Sequence, residues 1–429
     1  MSETTEKIAV VTGLRTPFQK LGGAYLASTP RQLGGWVVKE MVERCNISPD
    51  SIDQVVYGQV VSSPEAPNIA REVVLGSGLP VGVDAYSVSR ACATAYQACA
   101  NVIQNIRSGQ CQIGIAGGAD NISDAPLSIG KSLSRSLVTA SRARSFGGKM
   151  AAFRGAKLSD ILPKAPAIKE PSSNYTMGQA AEKMAKENHI SREDQDAFAH
   201  RSHKNAAHAW EQGWFDEQVI NVFPAPNFKA VIQDNLFRPN SELDKYKNLK
   251  PVFDRRHGSV TAGNSSPLTD GASAVLLMPE SVASALGYTP LGYIRSYAFH
   301  AIDPDWQMLM GPAFAIPKAL DYAGMKLSDI DLIDMHEAFA AQVLSNVQAL
   351  ESKEFAKTHL NRSAAVGDVD MDRLNISGSS ISLGHPFAAT GTRQLTQLLH
   401  DLKRMNKTTG LISACAAGGL GAAMIVEVA

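Results

Sequence analysis

The chain has 429 residues, 44% hydrophobic and 19% charged, enough for ordinary globular cores in two to three domains. Its 41 basic and 41 acidic residues cancel, which argues against nucleic acid or a strongly acidic macromolecule as the main partner. No apolar run approaches the roughly eighteen residues that a membrane-spanning helix needs.

Residues 1–7 carry acids and no long apolar stretch, so they read as neither a secretory signal nor an Arg-rich transit peptide. Ile8-Ala9-Val10-Val11 predicts a short buried strand, ended by Gly13. Residues 51–58 lead through a polar turn into a second strand. Helical spacing runs over 92–107. Cys92 falls where a strand gives way to that helix, and a helix N-terminus there would stabilise a thiolate and lower its pKa. Taken alone, a cysteine more often packs as a small apolar group. Ile113-Gly114-Ile115-Ala116-Gly117-Gly118 predicts another strand of small residues. Short apolar strands alternating with helices argue for an α/β fold with a covered sheet.

Near Asn121 the composition turns richer in charge, proline and serine, and stays so to about Arg256. Ser191-Arg192-Glu193-Asp194 reads as a capping box opening a helix inside this stretch. We read 121–256 as an insertion that covers the site. His200, His203 and His208 share that helix but not one face, so no metal site is expected. Strand pattern returns at Ala274-Val275-Leu276-Leu277-Met278. Ser51-Ile52-Asp53-Gln54-Val55-Val56-Tyr57 resembles Asp329-Ile330-Asp331-Leu332-Ile333-Asp334-Met335, which suggests two related halves. Five cysteines (Cys45, Cys92, Cys99, Cys111, Cys415) without CxxC spacing imply no disulfide framework and a reducing, cytoplasmic setting.

The end of the chain holds the densest chemistry. His336-Glu337-Ala338-Phe339 follows the apolar strand at 332–335; His336 there would fix a water or bind an oxyanion. Gly384-His385-Pro386 comes next, with Pro386 suiting the first turn of a helix through Leu395, Leu398 and Leu399. Cys415 then sits in a run of small residues whose following glycines leave backbone N–H groups free to face a substrate oxygen. Gly419-Leu420-Gly421 lacks the third glycine of a dinucleotide fingerprint. Together Cys92, His385 and Cys415 could supply a nucleophile, its base and a separate proton donor and acceptor. That set fits making or breaking a carbon–carbon bond beside a thioester.

Arg15-Thr16-Pro17-Phe18, Tyr175-Thr176-Met177-Gly178-Gln179-Ala180-Ala181-Glu182, and Thr261-Ala262-Gly263-Asn264-Ser265-Ser266 with Asp270-Gly271-Ala272 complete the pattern. With these motifs the chain resembles a thiolase almost end to end, in the manner of the thiolase subunit of fatty-acid β-oxidation multienzyme complexes. The resemblance implies the thiolase fold: two similar α/β halves in a layered αβαβα core, with 1–120 and 257–280 forming the first half, 121–256 the inserted loop domain and 281–429 the second half. It implies 3-ketoacyl-CoA thiolase activity, with CoA as co-substrate and no permanently bound cofactor or metal. Cys92 would be the acylated nucleophile, His385 the base that activates it, Cys415 the proton donor and acceptor, and His336 the oxyanion or water-positioning group. The Cys92 and Ala417 backbone N–H groups match one oxyanion hole. Thr176, Met177, Ser266, Ala338 and Phe339 match CoA-lining positions. Implied partners are a second thiolase chain and a hydratase/3-hydroxyacyl-CoA dehydrogenase subunit in a heterotetramer.

Three positions depart from the common pattern: many thiolases have Asn at the position of His336 and Gly at that of Ala417, and Ser266 is followed here by Pro267. The alternatives are a biosynthetic acetoacetyl-CoA thiolase and a non-catalytic, thiolase-like lipid-binding protein. A β-ketoacyl synthase usually pairs one Cys with two His, and Cys415 argues against it. Residues 131–164 hold Lys131, Arg135, Arg142, Arg144, Lys149, Arg154, Lys157 and Lys164 against Asp160. Most such runs are solvated surface; this one could instead meet CoA phosphates, a partner subunit or an acidic membrane surface.

Overall fold

The computed structural model describes residues 6–162 and 169–428, so most of the opening stretch and Lys164 of the basic run lie outside the described residues. The first part of the chain forms β1 (Ile8–Arg15), β2 (Gln19–Lys20), α1 (Pro30–Cys45), β3 (Gln54–Gly58), α2 (Ile69–Ser77), β4 (Asp84–Val88), α3 (Thr94–Arg107) and β5 (Gly114–Asp120). Five helices follow: α4 (Lys131–Arg142), α5 (Phe146–Ala151), α6 (Met177–Glu187), α7 (Arg192–Glu211) and α8 (Leu243–Tyr246). Next come β6 (Thr269–Pro279), α9 (Glu280–Ala285), β7 (Gly292–Ala301), α10 (Gly311–Ala323), β8 (Leu332–Met335), α11 (Ala340–Glu351) and α12 (Lys353–His359). The chain closes with α13 (Ser380–Leu383), α14 (Thr390–Arg404), β9 (Thr409–Ala416) and β10 (Leu420–Glu427).

The strands join in the order β4-β3-β5-β6-β1-β7-β10-β9-β8, with β2 beside β6. The two sides of the β1–β7 seam mirror each other. β3 runs parallel to β5, β5 antiparallel to β6, and β6 antiparallel to β1. Across the seam β8 runs parallel to β9, β9 antiparallel to β10, and β10 antiparallel to β7. A parallel bridge from Ile333 to Leu374 stands where β4 stands in the first half. The matched segments at 51–57 and 329–335 therefore occupy equivalent strands, β3 and β8, each preceded by a single 3-10 turn.

Period-two alternation sorts the strand side chains into separate cores. In β1, Ala9 and Val11 pack outward with Leu33, Val37 and Met41 of α1 and Val73 of α2. Ile8 and Val10 face the other way, toward Ile103 of α3 and Leu395, Leu398 and Leu402 of α14. In β10, Ala423 and Ile425 meet Ile316 and Leu320 of α10, whereas Ala422 and Met424 join the central cluster. Helices α3 and α14 touch each other and strands of both halves. The order is thus helix, sheet, helix, sheet, helix.

Three boundary expectations are corrected. Gly13 does not end β1; the strand runs on to Arg15 along β6, and glycine is needed at 13 because a Cβ there would sit 1.9 Å from Thr396 Oγ1 of α14. Helix α3 starts at Thr94, leaving Cys92 in the turn before it. The helix after Pro386 begins only at Thr390, because a 3-10 turn over Phe387–Ala389 intervenes. Helix α7 does open after Ser191, whose Oγ accepts from the Asp194 N–H at 3.0 Å, but the expected capping box is not completed, since Asp194 Oδ2 takes the Ser191 hydroxyl rather than its N–H. Helices α6 and α7 pack on α11. A buried ion pair, Arg15 Nη1 to Asp234 Oδ1 at 2.6 Å with Nη2 to Oδ2 at 2.7 Å, ties the loop around Asp234 to the end of β1. Among the described residues no helix is long and apolar enough to cross a membrane.

Candidate active site

Cys92 sits in a tight turn between β4 and α3. Ala91 takes φ +46°, a left-handed conformation rare for a residue with a side chain. Thr94 holds the turn: its Oγ1 accepts from Arg90 N–H at 2.8 Å and donates to Ala91 O at 2.6 Å. Gly58 makes room for this start of α3, since a Cβ there would lie 1.9 Å from Thr94 Cγ2. Strained backbone at a thiol-bearing turn is a common mark of a reactive centre.

His385 follows Gly384, whose φ of +99° no ordinary residue adopts easily. Its N–H donates to Thr269 Oγ1 at 3.1 Å, and its Nδ1 is 2.6 Å from Thr390 Oγ1. His336 leaves the end of β8, with its N–H on Ser413 O at 2.8 Å and its Nδ1 2.6 Å from Ser380 Oγ. The two rings lie 4.0 Å apart, tilted by 40°. Both Nε2 atoms are buried without a hydrogen-bond partner. One ligand atom each from Cys92, His336 and His385 lies within 4.8 Å of the other two, the only such trio of metal-ligating side chains among the described residues. His200, His203 and His208 instead meet Ser241 Oγ, the Arg238 N–H and the Trp214 ring respectively.

Cys415 is buried near the end of β9, paired with Gly421 of β10. Gly421 must be glycine because a Cβ would meet the Gly311 backbone at 2.2 Å. The turn after β9 passes through Gly418 and Gly419 at φ +82° and +71°, and the Ala417 N–H points at the Cys92 sulfur. The Cys92 sulfur lies close enough to add to the upward shift of the Cys415 thiol.

The electrostatics overturn the expected thiolate. Burial, with the Asp120 carboxylate adding to it, pushes the Cys92 thiol up to about 12, against the Ala417 and Cys92 N–H groups. Burial, then the Arg393 guanidinium, brings His385 down to about 3. Burial, then His385 and Arg393, holds His336 well below its ordinary value. Cys415 is held well above its usual range by burial and then by Cys92. Desolvation of the charged forms is the largest cause for both groups, and it favours a neutral thiol beside a neutral imidazole.

The expected CoA-lining residues also meet. Met177, Ala338 and Phe339 pack in one apolar cluster with Cys415 and Phe253. Ser266 N–H donates to Ala338 O at 2.9 Å. Thr176 caps α6 through a reciprocal pair with Gln179. A cleft of about 320 Å³ opens beside these residues, lined by Tyr175, Gln179, Lys183, Lys186 and Phe253.

Sequence reading missed the polar groups behind the histidines. Arg393 is fully buried in α14 and pairs with Asp334 of β8 at 2.6 Å. Asp120 accepts from the N–H groups of Val60, Val61 and Ala388, pinning the 3-10 turn after His385. Glu337 is buried among Ser202, Asn375 and the Ile381 N–H. The available signal was the arginine in Thr392-Arg393-Gln394-Leu395, a charge inside an otherwise enclosed helix.

A fold of two mirrored halves around paired thiols and imidazoles defines a class. Models of the thiolase N-terminal domain match residues 8–281 and of the thiolase C-terminal domain residues 288–428, and the chain belongs to the thiolase family. It is 56% identical over 423 residues to a 3-ketoacyl-CoA thiolase of Shewanella halifaxensis (strain HAW-EB4), covering 99% of this chain and 97% of that one. A 3-ketoacyl-CoA thiolase of Yersinia pestis (strain Pestoides F) is also 56% identical, with the same coverage. Among solved structures, the Bacillus anthracis acetyl-CoA acetyltransferase superposes with TM-score 0.86 at 31% identity, over 100% of both chains. Human mitochondrial 3-ketoacyl-CoA thiolase in complex with CoA superposes with TM-score 0.84 at 29% identity, over 99% of this chain and 98% of that one.

Proposed function

We infer that this chain is a 3-ketoacyl-CoA thiolase, an acyltransferase that cleaves 3-ketoacyl-CoA with CoA to acetyl-CoA and a shortened acyl-CoA, the last step of fatty-acid β-oxidation. The observation that carries this reading is the convergence of the Cys92 sulfur with two unpartnered imidazole Nε2 atoms.

The residues divide the work as follows. His385 Nε2 takes the Cys92 proton while the sulfur attacks the 3-keto carbon. The C2–C3 bond then breaks, leaving the acyl group on Cys92 and an acetyl-CoA enolate. His336 Nε2–H and the newly protonated His385 stabilise the enolate oxygen, and the Cys415 thiol delivers a proton to C2. The Cys92 and Ala417 N–H groups form the second oxyanion hole, facing the acyl-thioester. CoA thiol attacks that thioester, its proton passing to the Cys415 thiolate, and Cys92 recovers its own from His385. Burial suits this order: Cys415 is held protonated, the state an acid needs, and charge develops only as substrate arrives. CoA is a co-substrate, and no permanently bound cofactor enters a step.

Thr176, Met177, Ser266, Ala338 and Phe339 line the CoA channel in this proposal, and 121–256 acts as an inserted domain over the site between the two halves. We further propose medium to long acyl chains, a cytoplasmic location, and a thiolase homodimer within a heterotetramer with a hydratase/3-hydroxyacyl-CoA dehydrogenase subunit. The partly exposed terminal strand β4 supports a second copy, since an open sheet edge invites pairing. Peripheral membrane contact through 131–164 is supported by apolar residues exposed among the cations of α4 and α5, with Phe146 80% and Met150 59% exposed. Unchanged binding to anionic vesicles after charge reversal of Arg142, Arg144 and Lys149 would remove that contact.

The decisive experiment incubates the enzyme with a long-chain 3-ketoacyl-CoA and maps the covalent adduct by mass spectrometry. The acyl group is expected on Cys92. Turnover limited to four-carbon substrate would favour the biosynthetic alternative; thiolysis that survives Cys92→Ala would favour a non-catalytic role for this site.

A further inference from the structure

The hydrogen bonds behind the two imidazoles differ. His336 Nδ1 faces Ser380 Oγ at 2.6 Å, and that same oxygen receives Arg393 Nη2 at 3.5 Å. A guanidinium can only donate, so this contact occupies a lone pair of Ser380. Arg393 is itself held on several sides. Its Nη1 donates to Asp334 Oδ2 at 2.6 Å and its Nη2 to Ser379 Oγ at 2.9 Å, while Ser379 Oγ donates to Asp334 Oδ1 at 2.9 Å. Gln394 Nε2 completes the set on Asp334 Oδ1 at 3.0 Å.

The Ser380 hydroxyl proton has one acceptor among the described residues, His336 Nδ1. A buried hydroxyl left without an acceptor is costly. Ser380 therefore donates to Nδ1, and the single proton of neutral His336 resides on Nε2. Behind His385 stands Thr390 Oγ1 at 2.6 Å, with no guanidinium on that oxygen.

We propose that Arg393, acting through Ser380, is a positioning residue that locks His336 as an Nε2–H donor toward the pocket it shares with His385. The proposal rests on the thiolase reading above and deepens it. A His336 free to change tautomer would turn a lone pair toward the enolate oxygen in part of the population, and those molecules would not cleave.

The test uses the full chain labelled with 15N-histidine, with His336 assigned from its absence in His336→Asn. Wild type is expected to show His336 protonated at Nε2. Ser380→Ala should move that proton partly to Nδ1 and lower kcat for carbon–carbon cleavage about 10- to 100-fold. KM should stay within about twofold, and acylation of Cys92 by a saturated acyl-CoA should be unchanged. Ser380→Thr, which keeps the hydroxyl, should restore both the 15N pattern and kcat. Wild-type His336 protonated at Nδ1 would overturn the proposal. So would a Ser380→Ala enzyme with lost activity but an unaltered 15N pattern, which would reduce Ser380 to packing. Failure of the thiolase reading looks different: wild type itself would form no Cys92 adduct.

Discussion

Cys415→Ala isolates carbon–carbon chemistry from acyl transfer. The side chain is 1% exposed on a strand whose partner residue is a glycine packed against Gly311 backbone, so little can move in to replace the lost sulfur. Removing one buried heavy atom should cost about 1 kcal/mol of folding stability, small enough to leave the fold intact. The catalytic cost is larger. A positioned general acid contributes about 10²–10⁴ in rate, or roughly 3–5 kcal/mol of barrier. Thiolysis of a 3-ketoacyl-CoA should therefore fall by about that factor in stopped-flow or quench assays. Acylation of Cys92 by a reactive acyl donor, whose leaving group departs without a proton from Cys415, should stay within about threefold when followed by intact mass. Equal losses in both assays, or a thiolysis rate within tenfold of wild type, would refute the division of labour between the two thiols.

Cys92→Ala should abolish both the adduct and thiolysis while leaving the thermal midpoint within a few degrees, measured by calorimetry. Because burial lifts the Cys92 thiol to about 12, its alkylation in free enzyme should accelerate nearly tenfold per pH unit from neutrality upward; a plateau near pH 7 to 8 would indicate a thiolate–imidazolium pair instead. Asp234→Ala strands the Arg15 guanidinium, 1% exposed, and should cost about 3–5 kcal/mol in denaturant unfolding. Gly384→Ala forces a side chain into φ +99° with Leu236 Cδ1 at 2.4 Å; about 1–3 kcal/mol of strain, or more with the clash, should appear together with a fall in kcat as the Thr269–His385 bond shifts.

Much of the fold was legible because alternation and motif spacing are local. The Ser51 and Asp329 segments matched in sequence because both must form a strand after a polar turn, and both do. Cys92, His336, His385 and Cys415 stood out because small residues and strand ends surround them. The shifted ionisation of Cys92 was not legible: the helix end is visible in sequence, whereas the enclosure that raises the thiol comes from β9, β10 and α14, hundreds of residues away. Arg393 and Ser380 escaped for a similar reason, since only the crossing of α14 beneath β8 brings them to His336.

That crossing has a consequence for how the enzyme fails. Helix α14 begins with the partner of His385, carries the guanidinium behind His336, and ends in the leucines that seal the central core. Loss of α14 therefore removes the chemistry and the central core together. Hydrogen exchange in α14 should then proceed only through global unfolding, and activity and cooperative folding should vanish at the same denaturant concentration.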